Sequence, residues 1–194
     1  METRTVVAAV VLLACIPLGM AERPAAAEPY DVKEAYEVYG VLLPHEESYG
    51  FSKGMLVIQQ DMIREQQSYS SCLAVEAAKK FKDAISDFDR LGRKSWLLQR
   101  KFEISKPYTL VGADTINQLF HQLPGGWETF YKLYPGSGGY LVMSPVGFNK
   151  DKTLAIVYTG SACGGLCGSW RFHLLEKVQG TWKEAPGVIC SLVS

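Results

Sequence analysis

The sequence predicts an α+β domain: N-terminal helices packed on an antiparallel β-sheet formed largely by the C-terminal third. Three observations carry that reading. Between residues 71 and 92, Leu73, Ala77, Phe81, Ala84, Ile85, Phe88 and Leu91 recur at three- and four-residue steps, the period of a helix with one buried stripe. From Gly139 onward, short runs rich in β-branched and aromatic residues alternate with turn residues, the pattern of a meander of strands. Helices early and strands late favour segregated α and β parts over a parallel α/β sheet. Hydrophobic residues make up 47% of the chain and charged ones 21%, enough apolar material for a core and too few charges for disorder.

The elements follow in order. The chain opens METRTVVAAVVLLACIPLGMAERPAAAEPYD. Arg4 precedes an apolar run from Val6 to Leu18, then small and polar residues, the layout of a secretory signal peptide. The run has 13 residues, short of the ~20 a spanning helix needs. The mature chain is therefore expected to carry no transmembrane span. Cleavage is expected after Ala21 (residues 1–21 as leader), with Ala27 as the alternative end. A third reading is a lipid anchor on Cys15, because Leu12-Leu13-Ala14-Cys15 resembles a weak lipobox. The residues after Cys15 continue the apolar core, which disfavours it. Residues 28–194 are expected to form a single α+β domain, the usual size for one. Lys plus Arg equals Asp plus Glu at 20 each. Nothing here resembles the basic footprint of a nucleic-acid binder or a polybasic membrane-surface patch.

Asp31 and Glu34 read as a capping box opening a helix with Val32, Ala35, Tyr36 and Tyr39 inward and Gly40 at its end. Pro44 and His45-Glu46-Glu47-Ser48 make a loop. Residues 54–59 are a strand-length apolar run. The long helix is expected to start at Ser70 or Ser71 and to end at Gly92. Residues 96–111 read as a helix extension or loop with one short extended piece. A weaker helix is expected over about 114–121 with Asp114 as cap, broken by Pro124-Gly125-Gly126. Trp127, Phe130, Tyr131 and Tyr134 then share one helical face up to Pro135. Such a stripe is most simply core, the alternative being an aromatic platform for carbohydrate.

Strands are expected at 140–143, 153–159, 170–178 and 188–193, with turns at Asn149-Lys150-Asp151-Lys152 and Gln179-Gly180. Trp170, Phe172, Leu174 and Val178 should share one face and Arg171, His173 and Lys177 the other, which suits a sheet packed on one side. No internal repeat is present.

Several blocks of the C-terminal third together resemble a group of uncharacterised exported bacterial proteins. They are Val146-Gly147-Phe148-Asn149, Ala155-Ile156-Val157-Tyr158, Cys163-Gly164-Gly165-Leu166-Cys167-Gly168 and Leu174-Leu175-Glu176-Lys177 with Gly180 and Trp182. The stretch from Gly126 to Gly136 belongs to the same likeness, and Leu56–Asp61 extends it. The resemblance implies a bacterial origin and an exported α+β domain. It implies no activity and assigns no catalytic residue.

Cys15 leaves with the leader, so Cys72, Cys163, Cys167 and Cys190 remain, an even count that in an oxidising compartment favours two disulfides. Sequence alone permits three pairings. Residues 163–168, CGGLCG, admit four roles. A zinc site needs about four ligands, and His45, His121 and His173 are too scattered to complete one with Cys163 and Cys167. A redox pair draws its low pKa from a helix N-terminus, whereas these flanks read as strands. A nucleophile needs a base in reach; His173 follows on the next strand. The reading taken is a clip, Cys163 to Cys167, with Gly164 and Gly165 at positive φ, and a second bridge from Cys72 to Cys190. No cofactor or metal is expected. The function expected is a non-enzymatic binding or interaction module, periplasmic or extracellular. The alternative is a small hydrolase or thiol enzyme using Cys163 or Cys167 with His173. The partner, any ligand and the oligomeric state are not fixed by the sequence.

Overall fold

The computed structural model describes residues 26–43, 54–63 and 73–185, and the backbone of 190–193. Residues 1–21 of the expected leader with the Ala21 cleavage site, Cys15, the 44–48 loop and Cys72 lie outside the described residues, and so does the expected bridge from Cys72 to Cys190; the alternative cleavage point after Ala27 falls just before β1. In chain order the elements are β1 (Glu28–Tyr30), α1 (Lys33–Leu42), β2 (Leu56–Gln59), α2 (Val75–Lys80), α3 (Lys82–Leu91), β3 (Trp96–Leu98), β4 (Tyr108–Val111), α4 (Ala113–His121), α5 (Trp127–Leu133), β5 (Tyr140–Met143), β6 (Gly147–Phe148), β7 (Leu154–Gly164), β8 (Cys167–Val178), β9 (Thr181–Glu184) and β10 (Cys190–Val193). The class is α+β, and the C-terminal strands make most of the main sheet.

That sheet runs β10-β8-β7-β5-β2-β4, with β6 added to β7 and β9 to β8. From β5 to β10 every pairing is antiparallel. β2 is parallel to both β4 and β5, so the sheet is mixed. A second, two-stranded parallel pair, β1 and β3, meets the chain just after β2 through a bridge between Asp61 and Leu97.

Both faces of the sheet are covered, not one. Ala35, Tyr36, Val38, Tyr39 and Leu42 of α1 are buried against Leu56, Ile58, Leu141, Met143, Val157 and Leu175. On the other face, Phe81, Ala84, Ile85 and Phe88 pack on Ile156, Tyr158, Phe172 and Leu174. Farther along that face, Ile116, Leu119 and Phe130 of α4 and α5 cover Val57 and Val111. The alternation along β8 was legible, but its second face is closed by α1, so it carries Leu175 and His173 into the interior.

Several local expectations change. Val32, not Asp31, stands at the start of α1, with no side-chain cap; the Asp31 carboxylate pairs with Lys101 instead. Gly40 lies inside α1, which continues to Leu42. The long helix breaks at Phe81, whose φ of −95° and ψ of 11° leave the helical range, although Phe81 is 1% exposed and keeps the buried stripe continuous. Its start lies at Val75 and its end at Gly92, as the glycine predicts. Asp114 sits in the first turn of α4 behind Gly112, and Asp61 Oδ2 accepts the Ala113 N–H at 2.7 Å in place of a local cap. Trp96–Leu98 and Tyr108–Val111 are strands.

The VGFN block ties three layers together. The Tyr30 hydroxyl accepts the Val146 N–H at 3.0 Å. Gly147 lies directly under α3. The Phe148 N–H donates to Asp87 Oδ2 at 3.1 Å. Asn149 Oδ1 accepts from the N–H groups of Thr153 and Leu154, closing the turn in which Lys152 takes a φ of 51°. Gln179 and Gly180 are both at positive φ, the mark of a tight two-residue hairpin turn.

Candidate functional site

Two places carry chemistry: the tip of the β7–β8 hairpin and a polar patch farther down the same two strands. At the tip Cys163 and Cys167 form a disulfide, with Cα atoms 5.1 Å apart. Gly164 and Gly165 are not at positive φ. Gly164 brings its backbone close to the bridge, since an added Cβ would stand 3.4 Å from Cys167 Cβ, and Gly165 opens onto free space. Leu166 is 93% exposed.

The register explains what the clip does. Gly164 stands opposite Cys167, yet Ala162 stands opposite Gly168. Cys163 is therefore one extra residue on β7, a β-bulge. A bulged residue's backbone drops out of the ladder, and the Tyr131 hydroxyl of α5 donates to the Cys163 carbonyl at 2.8 Å. The bulge shifts all pairing below it by one residue, and a one-residue slip exchanges the faces of a strand. It is this shift that sets Thr159 opposite Arg171, Ser161 opposite Ser169 and Val157 opposite His173.

The patch follows from that register. His173, 4% exposed, is held at both ring nitrogens. Its Nδ1 lies 2.5 Å from Glu184 Oε1 on β9, and its Nε2 lies 2.9 Å from Thr159 Oγ1 on β7. A carboxylate accepts only, so Nδ1 carries the proton; in the neutral ring Nε2 then accepts from the Thr159 hydroxyl. The order hydroxyl, imidazole, carboxylate is that of an activated nucleophile. The space beside Thr159, lined by Tyr39, Leu42, Leu43 and Met143, is about 10 Å³, room for a single water at most. In this arrangement the relay joins β7, β8 and β9 and offers no room for a substrate. Next to it, Ser161 Oγ and Arg171 Nε are buried with no hydrogen-bond partner. Each such group costs about 1–3 kcal/mol when left unpaired.

The sequence-predicted pair is not brought together. Cys167 and His173 lie six residues apart on β8, about 20 Å along an extended strand, and the thiols are bonded to each other. His121 is the last residue of α4. Among the described residues no group of three His, Cys, Asp or Glu side chains could hold a metal ion, and no helix is long and apolar enough to cross a membrane. Cys190 stands opposite Phe172 in the β10–β8 register.

The aromatic stripe of α5 is core. Phe130 is fully buried, and Trp127, Phe120, Tyr131 and Tyr140 stack around it with ring centroids 4.6–6.0 Å apart. Burial pushes the hydroxyl pKa values of Tyr131, Tyr134 and Tyr140 up. A trough of about 850 Å³ between α1 and residues 100–103 is lined by both signs of charge. Three of its charges are already paired, Asp31 with Lys101 and Glu37 with Lys177.

Thr159, Ser161 and Glu184 escaped the sequence reading, which placed Arg171 on the His173 face but gave it no role. Thr159 and His173 are 14 residues apart, and only a pairing that counts Cys163 as a bulge puts them on one face. The structure thus defines an α+β domain with a sheet covered on both faces and a disulfide-clipped hairpin. Comparison with protein-family models, with curated proteins and with solved structures finds no match for this chain.

Proposed function

We propose that the protein is an exported bacterial interaction module that engages its partner through the tip of the β7–β8 hairpin. The leader-like opening and the likeness to exported proteins support the export half of this reading. The observation that carries the other half is Leu166, 93% exposed at the end of a long hairpin whose tip is clipped by Cys163–Cys167 and tied to α5 by Tyr131. A large apolar side chain displayed on a pre-ordered finger loses little conformational entropy on docking, and the partner it suits is a protein with a small apolar pocket. The alternative, a thiol enzyme using Cys163 or Cys167 with His173, gains nothing from the bonded thiols and the distance along β8.

The test is site-specific photocrosslinking in the full chain, expressed in a bacterial host, with p-benzoylphenylalanine at Leu166 and, as a control, at the exposed Asp151 turn. The expected result is a discrete adduct in the envelope or medium fraction from position 166 and none from 151. Equal or absent labelling at the two positions overturns the tip as the contact.

A further inference from the structure

The trough of about 850 Å³ between α1 and residues 100–103 has the size of a small-ligand site. Its floor is aromatic: Tyr36 and Phe102 are buried and meet edge to face, ring centroids 5.1 Å apart. Its charges are sorted by end. Asp31 and Lys101 pair across one end, and Lys33 and Arg100 are their near neighbours in the chain and line the same trough. At the other end Gly40 stands against Glu103, whose carbonyl oxygen would lie 3.8 Å from a Cβ added at Gly40. Glu37, one turn before Gly40, is taken by Lys177. Lys33, Arg100 and Glu103 are exposed and form no ion pair among the described residues. The trough thus keeps two uncommitted cations at one end and an uncommitted carboxylate at the other. The main-chain groups of Phe102 and Glu103, outside any helix or strand, also make no hydrogen bond among the described residues.

We propose that this trough binds a peptide of about three residues with free termini, its carboxylate towards Lys33 and Arg100 and its amine towards Glu103. From Lys33 to Gly40 α1 advances about 10 Å, and three extended residues span about the same length. A peptide lying along the trough sets its own N–H and C=O groups beside those of Phe102 and Glu103, the main-chain pairing by which extended peptides are held on an open backbone. Its middle side chain comes to rest over the Tyr36 and Phe102 rings, which favours an apolar residue there. A simple anion leaves Glu103 unmet and a simple cation leaves Lys33 and Arg100 unmet. An internal segment of a protein brings no terminal charge to either end. The site is distinct from the hairpin tip and does not depend on the tip being a contact.

The experiment is an NMR titration of the ¹⁵N-labelled full chain with the tripeptide Ala-Leu-Ala at low ionic strength. The peptide is used with free termini, N-acetylated, C-amidated, and blocked at both ends. The expected result is a saturable shift of the Gly40, Phe102 and Glu103 amides with the free peptide. Blocking either terminus should weaken binding by about threefold, the scale of one exposed ion pair. Glu103→Gln should remove the effect of acetylation and keep that of amidation. The double variant Lys33→Gln, Arg100→Gln should do the reverse. All three side chains are exposed, so these substitutions leave the fold intact. No saturable shift, shifts that spare Gly40 and Phe102, equal affinity for the free and the doubly blocked peptide, or terminus effects unchanged in the variants would each overturn the proposal.

Discussion

Gly147 is where the packing is tightest, and Gly147→Ala is the most informative single change. A Cβ at this position would stand 2.3 Å from the Ala84 carbonyl oxygen and 2.5 Å from the backbone nitrogen and Cβ of Phe88. Backbone of α3 cannot swing aside as a side-chain tip would, and ordinary contact begins at 3.4 Å, so the helix must retreat by roughly 1 Å. A gap of that order forfeits a quarter to a half of each contact that spans it. Phe81, Ile85 and Phe88 each make on the order of 40 contacts worth about 0.1 kcal/mol, roughly half of them across the interface, so each loses about 0.5–1 kcal/mol. Stretching the bond from the Phe148 N–H to Asp87 adds about 1 kcal/mol. The total is about 3 kcal/mol, at the upper end for overpacking, or roughly 6–12 °C in Tm for a chain of this length. Urea denaturation followed by tryptophan fluorescence measures it. Gly165→Ala is the control: an added Cβ there meets nothing within 4 Å, so stability should stay within about 0.5 kcal/mol. A loss below about 1 kcal/mol in Gly147→Ala, or no difference between the two variants, would show that α3 does not rest on β6 as described.

Two further outcomes are expected. Thr159→Val keeps the shape of the side chain but leaves His173 Nε2 buried without a partner, and should cost about 1–3 kcal/mol; the denaturation midpoint checks the loss, and ¹⁵N shifts of the ring check that Nδ1 keeps its proton against Glu184. Burial raises the hydroxyl pKa values of Tyr30 and Tyr39 above the ordinary 10.0. Above pH 10 the unfolded chain therefore binds fewer protons than the folded one, and stability falls as pH rises. Tyrosinate absorbance should appear together with loss of fold in an alkaline titration; ionisation of every tyrosine in a still-folded chain would contradict the buried placement of these two.

Much of the fold was legible because it rests on local periodicity. The stripe from Leu73 to Leu91, the helical face from Trp127 and the alternation along β8 each reflect one element facing one layer. What escaped depends on partners far away in sequence. Trp96–Leu98 is a strand because Glu28–Tyr30 lies beside it, and three residues carry no period of their own. The Asp31 cap lost to Lys101, some 70 residues on. The expectation of a surface His173 missed α1, which closes the second face of the sheet. The polar patch was hidden most completely, because its members meet only through a register set by the bulged residue.

That bulge has a consequence for how the protein tolerates change in length. Hairpin tips ordinarily accept inserted or deleted residues. Here one residue more or fewer between Ala162 and Cys167 would reset which side of β8 faces which helix. Phe172 and Leu174 would turn towards α1, and Arg171 and His173 towards the apolar surface of α3. Residue identity at 165 and 166 is free of packing, but the number of residues at the tip is not. The β7–β8 tip is therefore a poor place to graft a loop or a tag, and Gln179-Gly180, with no bulge below it, is no better guide to how such a graft would behave.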